Sequence, residues 1–171
     1  MKHDKLVKLT MAAVMTALVF VATYVIRIPM PATGGYVNLG DCMVLLSGFL
    51  LGPVWGFAAG GIGSMLTDLI AGYGTYVPGT LIIKGLMALC AALILKALRS
   101  KTKFAALIGG IAAELVMVFG YFAYEGLFLG LGMGAAGSIP GNSAQAAAGL
   151  VAGVLVYHAL IAVPSIKKLS Y

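Results

Sequence analysis

Apolar residues run along this chain in blocks of about twenty, separated by short polar, glycine-rich or proline-containing stretches. Six blocks can be marked, at residues 6–26, 39–52, 54–71, 80–98, 104–124 and 143–163. A helix rises about 1.5 Å per residue, so about 20 apolar residues cross the ~30 Å hydrocarbon core of a bilayer. The pattern predicts an all-α integral membrane protein with six transmembrane helices, a single membrane domain over residues 1–171. The second block is the shortest. The Gly52-Pro53 pair after it reads as a tight turn into the third helix and not as a kink, because proline fits the first turn of a helix but not its interior.

Composition agrees. Of the residues, 61% are hydrophobic and 9% charged, and the mean hydropathy is +1.05. No soluble domain of this size could keep so much apolar surface from water. The 24 glycines suit helices that must approach closely in lipid, where packing drives association. Cys42 and Cys90 stand alone, without metal-ligand or redox spacing, so no metal, disulfide or cofactor is expected. The first apolar block follows Lys2, Lys5 and Lys8 but is too long for a signal peptide and has no convincing cleavage site before Arg27; it reads as a retained helix. Nine of the eleven basic residues precede the first span, lie between the fourth and fifth (Lys96, Arg99, Lys101, Lys103) or follow the sixth (Lys167, Lys168). With six spans all nine fall on one side, which predicts that both termini are cytoplasmic. The net charge of +6 is then topology plus contact with anionic membrane lipid, and nucleic acid is not needed to explain it.

The outer side carries two polar, turn-rich segments, PMPATGGYVNLGD at 29–41 and GYGTYVPGT at 72–80, and a long glycine-rich one, EGLFLGLGMGAAGSIPGN, at 125–142. Loops gathered on one end of a bundle are a natural place for a small-molecule pocket. Charges at membrane depth cost several kcal/mol unless paired or hydrated. Lys84 and Asp68 lie at similar depths near the outer ends of the fourth and third helices, which suggests a structural ion pair, with a ligand contact the alternative for each. Glu114 falls near the midplane without an obvious basic partner and is either protonated or bonded to polar neighbours, in a ligand, gating or structural role. Asp41 reads as the cap or first-turn acid of the second helix. At the start of the sixth helix Asn142 can cap it, and Gln145 lies about one turn on, so both amides can face the region under the outer loops. Tyr36, Tyr73, Tyr76, Tyr121 and Tyr124 offer walls for a heteroaromatic ring or, equally, an interfacial tyrosine belt.

The segments YVNLGD at 36–41, GPVWGFAAGGIGSMLTDLIAGYGTYVPGTLIIKG at 52–85 and IPGNSAQAAAG at 139–149 resemble the substrate-binding S component of energy-coupling factor (ECF) vitamin transporters, in the riboflavin and hydroxymethylpyrimidine or pyridoxine branch. The resemblance implies a six-helix subunit of a bacterial cell membrane that binds one vitamin with high affinity at its outer side. It also implies assembly with a transmembrane coupling subunit and two cytoplasmic ATPases, and no hydrolysis by this chain itself. Asn38, inside the first segment, joins Tyr36, Tyr76, Lys84, Glu114, Tyr121, Asn142 and Gln145 as the substrate-binding candidates. The AxxxA contact of such subunits matches Ala13 and Ala17 in the first helix, which become the candidates for partner binding.

The residues agree that ATP is handled elsewhere, since no GxxxxGK[ST] loop occurs. An intramembrane enzyme would need acids, histidines or an activated serine gathered at one depth, and His3 and His158 both sit near cytoplasmic ends. A self-sufficient carrier or channel is the other alternative, and internal repeats, common in carriers, are not evident. The inventory of amides, tyrosines and one lysine suits a small neutral heteroaromatic compound with hydroxyl groups, such as pyridoxine or a hydroxymethylpyrimidine; riboflavin is a larger possibility, and a charged or very large ligand such as cobalamin fits less well.

Overall fold

Along α1 (Lys2–Val25) the buried positions Ala12, Met15, Val19 and Thr23 recur at helical spacing, while Leu6, Leu9, Val14, Leu18 and Val21 point outward. In a bilayer that outward face meets lipid, so burial inside the protein selects only a narrow stripe. The structure, a computed structural model, describes residues 2–169, with side chains from Lys5 to Lys167. The side chains of Lys2, His3 and Lys168, used in the charge and histidine arguments, lie outside the described residues.

After α1 the chain does something that the apolar pattern does not predict. Arg27–Met30 (β1) and Gly35–Asn38 (β2) pair as an antiparallel hairpin, with Arg27 opposite Asn38 and Met30 opposite Gly35. Gly34, at φ 71°, closes its turn in the left-handed region that glycine tolerates. Then α2 (Asp41–Leu51) turns back into the bundle. At 11 residues it is about 16 Å long, too short to cross a bilayer alone, and nearly all of it is buried among its neighbours. Gly52, at φ 80°, reverses the chain and Pro53 opens α3 (Pro53–Ala71) at its first turn, as expected from the dipeptide.

The bundle continues with α4 (Val77–Leu98), α5 (Ala105–Ala123) and α6 (Ile139–Ile161), and ends in the short α7 (Pro164–Leu169). Five segments are long and apolar enough to span a membrane: Lys5–Val25, Pro53–Ala71, Val77–Leu98, Ala105–Phe128 and Gly132–Ile161; with the shorter α2 they make a six-helix, all-α multi-pass membrane bundle. The segment 125–142, expected as an outer loop, is wound into a π-helical turn (Tyr124–Phe128) and a 3-10 stretch (Gly132–Ser138) that run α5 into α6.

α3 packs along α1 and α4, α4 along α5, and α2 lies between α3, α4 and α6. Their contact is possible because small residues face each other. A Cβ at Gly48 would come within 2.3 Å of the Ala88 carbonyl oxygen, and one at Gly56 within 2.8 Å of the Gly48 Cα, so α2, α3 and α4 touch backbone to backbone. The apolar core, including Val44, Leu45, Phe49, Met87, Ala91 and Met117, fills the bundle below a polar interior that gathers at one end, under the hairpin.

Candidate ligand-binding site

That polar interior surrounds a cavity of about 390 Å³, its open mouth included, walled by the hairpin and by residues of α1, α3, α4, α5, the π turn and α6. Seven of the eight expected substrate-binding residues line it: Tyr36 and Asn38 on β2, Tyr76 and Lys84 at the start and second turn of α4, Tyr121 on α5, and Asn142 and Gln145 on α6. Glu114 does not. It lines a separate, mostly apolar groove between α5 and α6, and its carboxyl lies against Gly149 and Asp41, without a hydrogen-bond donor on either oxygen.

The expected Asp68–Lys84 ion pair is corrected by the geometry: the Lys84 ammonium bonds the Asp41 carboxylate. Asp41 is the first residue of α2, as its sequence position suggests, yet it faces inward and is fully buried. Its other oxygen accepts from Gln145 Nε2 at 2.8 Å, while Gln145 Oε1 accepts from the backbone N–H of Asn38 at 2.6 Å. The Asn38 side-chain oxygen in turn accepts from the Gly40 N–H at 2.8 Å. One chain of bonds thus ties α4, α2, α6 and the hairpin together. Asp68 is level with Thr80, a turn of α4 above Lys84 in sequence, and its Oδ1 accepts from the Tyr36 hydroxyl at 2.5 Å. Sequence depth placed the two charges near each other; the direction in which each side chain leaves its helix decides the partner.

Asn142 does not cap α6. The helix begins at Ile139, with Ser138 at its N-cap position and Pro140 in its first turn, so Asn142 is already helical and turned into the cavity. The aromatic side chains divide. Tyr36, Tyr76 and Tyr121 are cavity walls, Tyr73 packs against Tyr36 with ring centres 4.5 Å apart, and Tyr124 donates to the Thr75 carbonyl at 2.6 Å.

Seven lining residues were not among the substrate-binding candidates: Thr23, Met30, Gly35, Ser64, Thr80 and Glu125, and Asp68, which was expected as half of an ion pair. Glu125 carried a signal, an acid in an otherwise apolar outer segment. Its carboxylate accepts from the Ser138 hydroxyl at 2.5 Å and lies 3.1 Å from the Tyr76 hydroxyl, which also reaches the Thr33 carbonyl at 2.9 Å. Burial, with Asp68 and Glu125 respectively adding to it, pushes the Tyr36 and Tyr76 phenols up from their ordinary range, so both stay protonated and serve as donors.

Three buried polar atoms on the cavity wall have no hydrogen-bond partner: Ser64 Oγ, Asp68 Oδ2 and Asn142 Nδ2. Buried polar groups are as a rule satisfied. A hydroxyl, an acceptor and an amide donor are thus left over around one cavity.

A helical membrane bundle with a polar, amide- and tyrosine-lined cavity beneath its hairpin has the form of a membrane transport component. The family described as ECF-type riboflavin transporter, S component, matches residues 3–162, and the chain belongs to it; the family is a transporter component and not an enzyme. Among its relatives is an uncharacterized protein of Pyrococcus woesei, 37% identical over 135 residues, which are 79% of this chain and 88% of the relative. Another is the thiamine precursor transporter HmpT of Lactococcus lactis subsp. cremoris, 34% identical over 138 residues, which are 80% of this chain and 78% of that one.

Proposed function

We propose that this chain is the high-affinity vitamin-binding subunit of an ATP-driven ECF importer in a bacterial plasma membrane, and that it takes a single-ring heteroaromatic vitamin or precursor, a hydroxymethylpyrimidine or pyridoxine in preference to riboflavin. The observation that carries this reading is the set of unpartnered polar atoms on one cavity wall, Ser64 Oγ, Asp68 Oδ2 and Asn142 Nδ2. A substituted heteroaromatic ring with hydroxyl and ring-nitrogen groups supplies the donors and acceptors they lack, between the faces of Tyr36 and Tyr121. The space between the walls is small, about 390 Å³ even with its open mouth included, which favours one ring over the three of riboflavin. The relative named as a thiamine precursor transporter points the same way.

The reading places the cavity at the outer face and both termini in the cytoplasm, from the distribution of basic residues. Its partners are a transmembrane coupling subunit and two cytoplasmic ATPases. Ala13 and Ala17, both exposed on α1, offer a flat surface for the coupling subunit. Titration calorimetry of the purified chain in detergent against 4-amino-5-hydroxymethyl-2-methylpyrimidine, pyridoxine and riboflavin tests the ligand class, and binding of riboflavin alone would overturn the single-ring reading. Reconstitution of the chain alone in liposomes tests the rest: sustained concentrative uptake without partners would make it a self-sufficient carrier.

A further inference from the structure

Resting on that reading of the cavity, we propose that its ligand is bound as a cation: a heteroaromatic ring protonated at nitrogen, which takes up a proton from solvent when it is neutral beforehand.

Every acid among the described side chains, Asp41, Asp68, Glu114 and Glu125, is buried, and against them stands one buried lysine, Lys84. That lysine is already matched by Asp41, so it does not offer a free positive charge to the cavity. Asp68 and Glu125, both on the cavity wall, are answered by hydroxyls: Thr80 and Tyr36 for Asp68, and Tyr76 and Ser138 for Glu125. Hydroxyl donors favour the carboxylate but do not neutralise it, and a buried carboxylate without a counter-charge is strongly unfavourable. Asp68 is also the acid with an oxygen, Oδ2, that has no partner and lines the cavity.

The other charged or titratable groups near Asp68 leave this imbalance in place. Arg27 on β1 is half-buried, outside the cavity lining, with its guanidinium 4.2 Å from the centre of the Tyr24 ring. Tyr36, Tyr76 and Tyr121 are phenols, and Lys84 is taken. A positive charge on the ligand next to Asp68 Oδ2 restores the balance, and Asn142 Nδ2 remains to serve a ligand hydroxyl. Anionic or phosphorylated forms are disfavoured by the same surplus. Aminopyrimidines and pyridines accept a proton at ring nitrogen, whereas the riboflavin ring system does not near neutral pH, so the charge also sorts the candidate vitamins.

The test uses the full chain in detergent and two matched probes, 4-amino-5-hydroxymethyl-2-methylpyrimidine and its 4-oxo counterpart, which has nearly the same shape and a far less basic ring. Calorimetry in buffers of different ionisation heat reads the proton count directly. Above the pKa of the free aminopyrimidine, one proton should be taken up per ligand bound and affinity should fall about tenfold per pH unit; the oxo compound should bind at least about tenfold more weakly. Asp68→Asn keeps an oxygen for the Tyr36 hydroxyl and should flatten the pH dependence and erase the preference between the probes. Should that variant not fold, the proton count on the natural chain decides alone. Equal affinity for both probes with no proton uptake overturns the cationic ligand and leaves the single-ring site standing. Binding of neither probe nor of pyridoxine overturns the reading of the site, and this inference with it.

Discussion

Replacing Lys84 by methionine should be among the most damaging single changes in the molecule, and its rescue identifies its partner. Lys84 is 1% exposed and Asp41 0% exposed. In Lys84→Met the Asp41 carboxylate keeps the Gln145 amide bond at 2.8 Å but loses its counter-charge, with the Glu114 carboxyl beside it. Breaking a buried pair on one side costs about 3–5 kcal/mol. For a chain of this size each kcal/mol moves the unfolding temperature by roughly 2–4 °C, so the shift should be about 6–20 °C. Adding Asp41→Asn removes the orphaned charge while its amide still meets Gln145. The double variant should therefore recover most of the loss, and the cycle should return a coupling of several kcal/mol. The assay is thermal unfolding of the purified protein in one detergent at one heating rate, with Asp68→Asn as the crossed control. Recovery of Lys84→Met by Asp68→Asn and not by Asp41→Asn would refute the pairing, as would a shift of less than about 3 °C for Lys84→Met alone.

Four further outcomes are expected. Asn142→Ala should weaken ligand binding by about 1–3 kcal/mol without lowering stability, because the lost amide nitrogen has no partner in the protein, whereas Gln145→Ala should lower both, since it bridges Asn38 and Asp41; equal unfolding temperatures for the two would contradict this. Gly48→Ala should destabilise by roughly 1–3 kcal/mol in the same assay, because its Cβ meets a backbone oxygen at 2.3 Å that cannot swing aside. With Cys42 and Cys90 replaced by alanine, a cysteine at Ser100 should be labelled only from the cytoplasmic side and one at Ala32 only from outside; labelling of both from one side would overturn the six-helix topology. Ala13→Leu with Ala17→Leu should leave ligand affinity of the isolated chain within about threefold but abolish uptake by the assembled transporter, as overpacking of a close helix contact predicts.

The spans were readable because lipid imposes a long, simple pattern: the marked blocks 54–71 and 104–124 fall almost on α3 and α5. The hairpin was not, because Arg-Ile-Pro-Met and Gly-Tyr-Val-Asn are four residues each and their pairing is information about each other, which neither segment holds locally. Residues 125–142 hid their helical turns behind six glycines spaced through the segment, whose low helix propensity is overridden by the contacts of Ala135, Ser138 and Glu125 in the folded bundle. The ion pair failed for a different reason. Counting residues along a helix gives depth to within a turn, and Asp68 and Lys84 are nearly level by that measure. It does not say that Asp41, assigned to a helix start for its dipole, also points at α4. Glu125 shows the converse, a lone acid in an apolar stretch whose burial the sequence implied and whose partners, Tyr76 and Ser138, it could not name.

What the bonding pattern adds is a separation of duties among the helices. The chain from Lys84 through Asp41 and Gln145 to Asn38 joins α4, α2, α6 and the hairpin, so a ligand that touches Lys84, Gln145 or Asn38 acts on all four elements at once. Among the described residues α1 enters the cavity lining only through Thr23, whose hydroxyl is spent on the Val19 carbonyl at 2.7 Å. Ala17 and Ala13 lie about 9 and 15 Å further along the same helix at 1.5 Å per residue, and both face outward. Nothing in the ligand-side network depends on their size. A flat outward face on a helix that touches the pocket only through Thr23 can therefore be bulked up without disturbing recognition, which is why binding and uptake should part company there and nowhere on α2, α4 or α6.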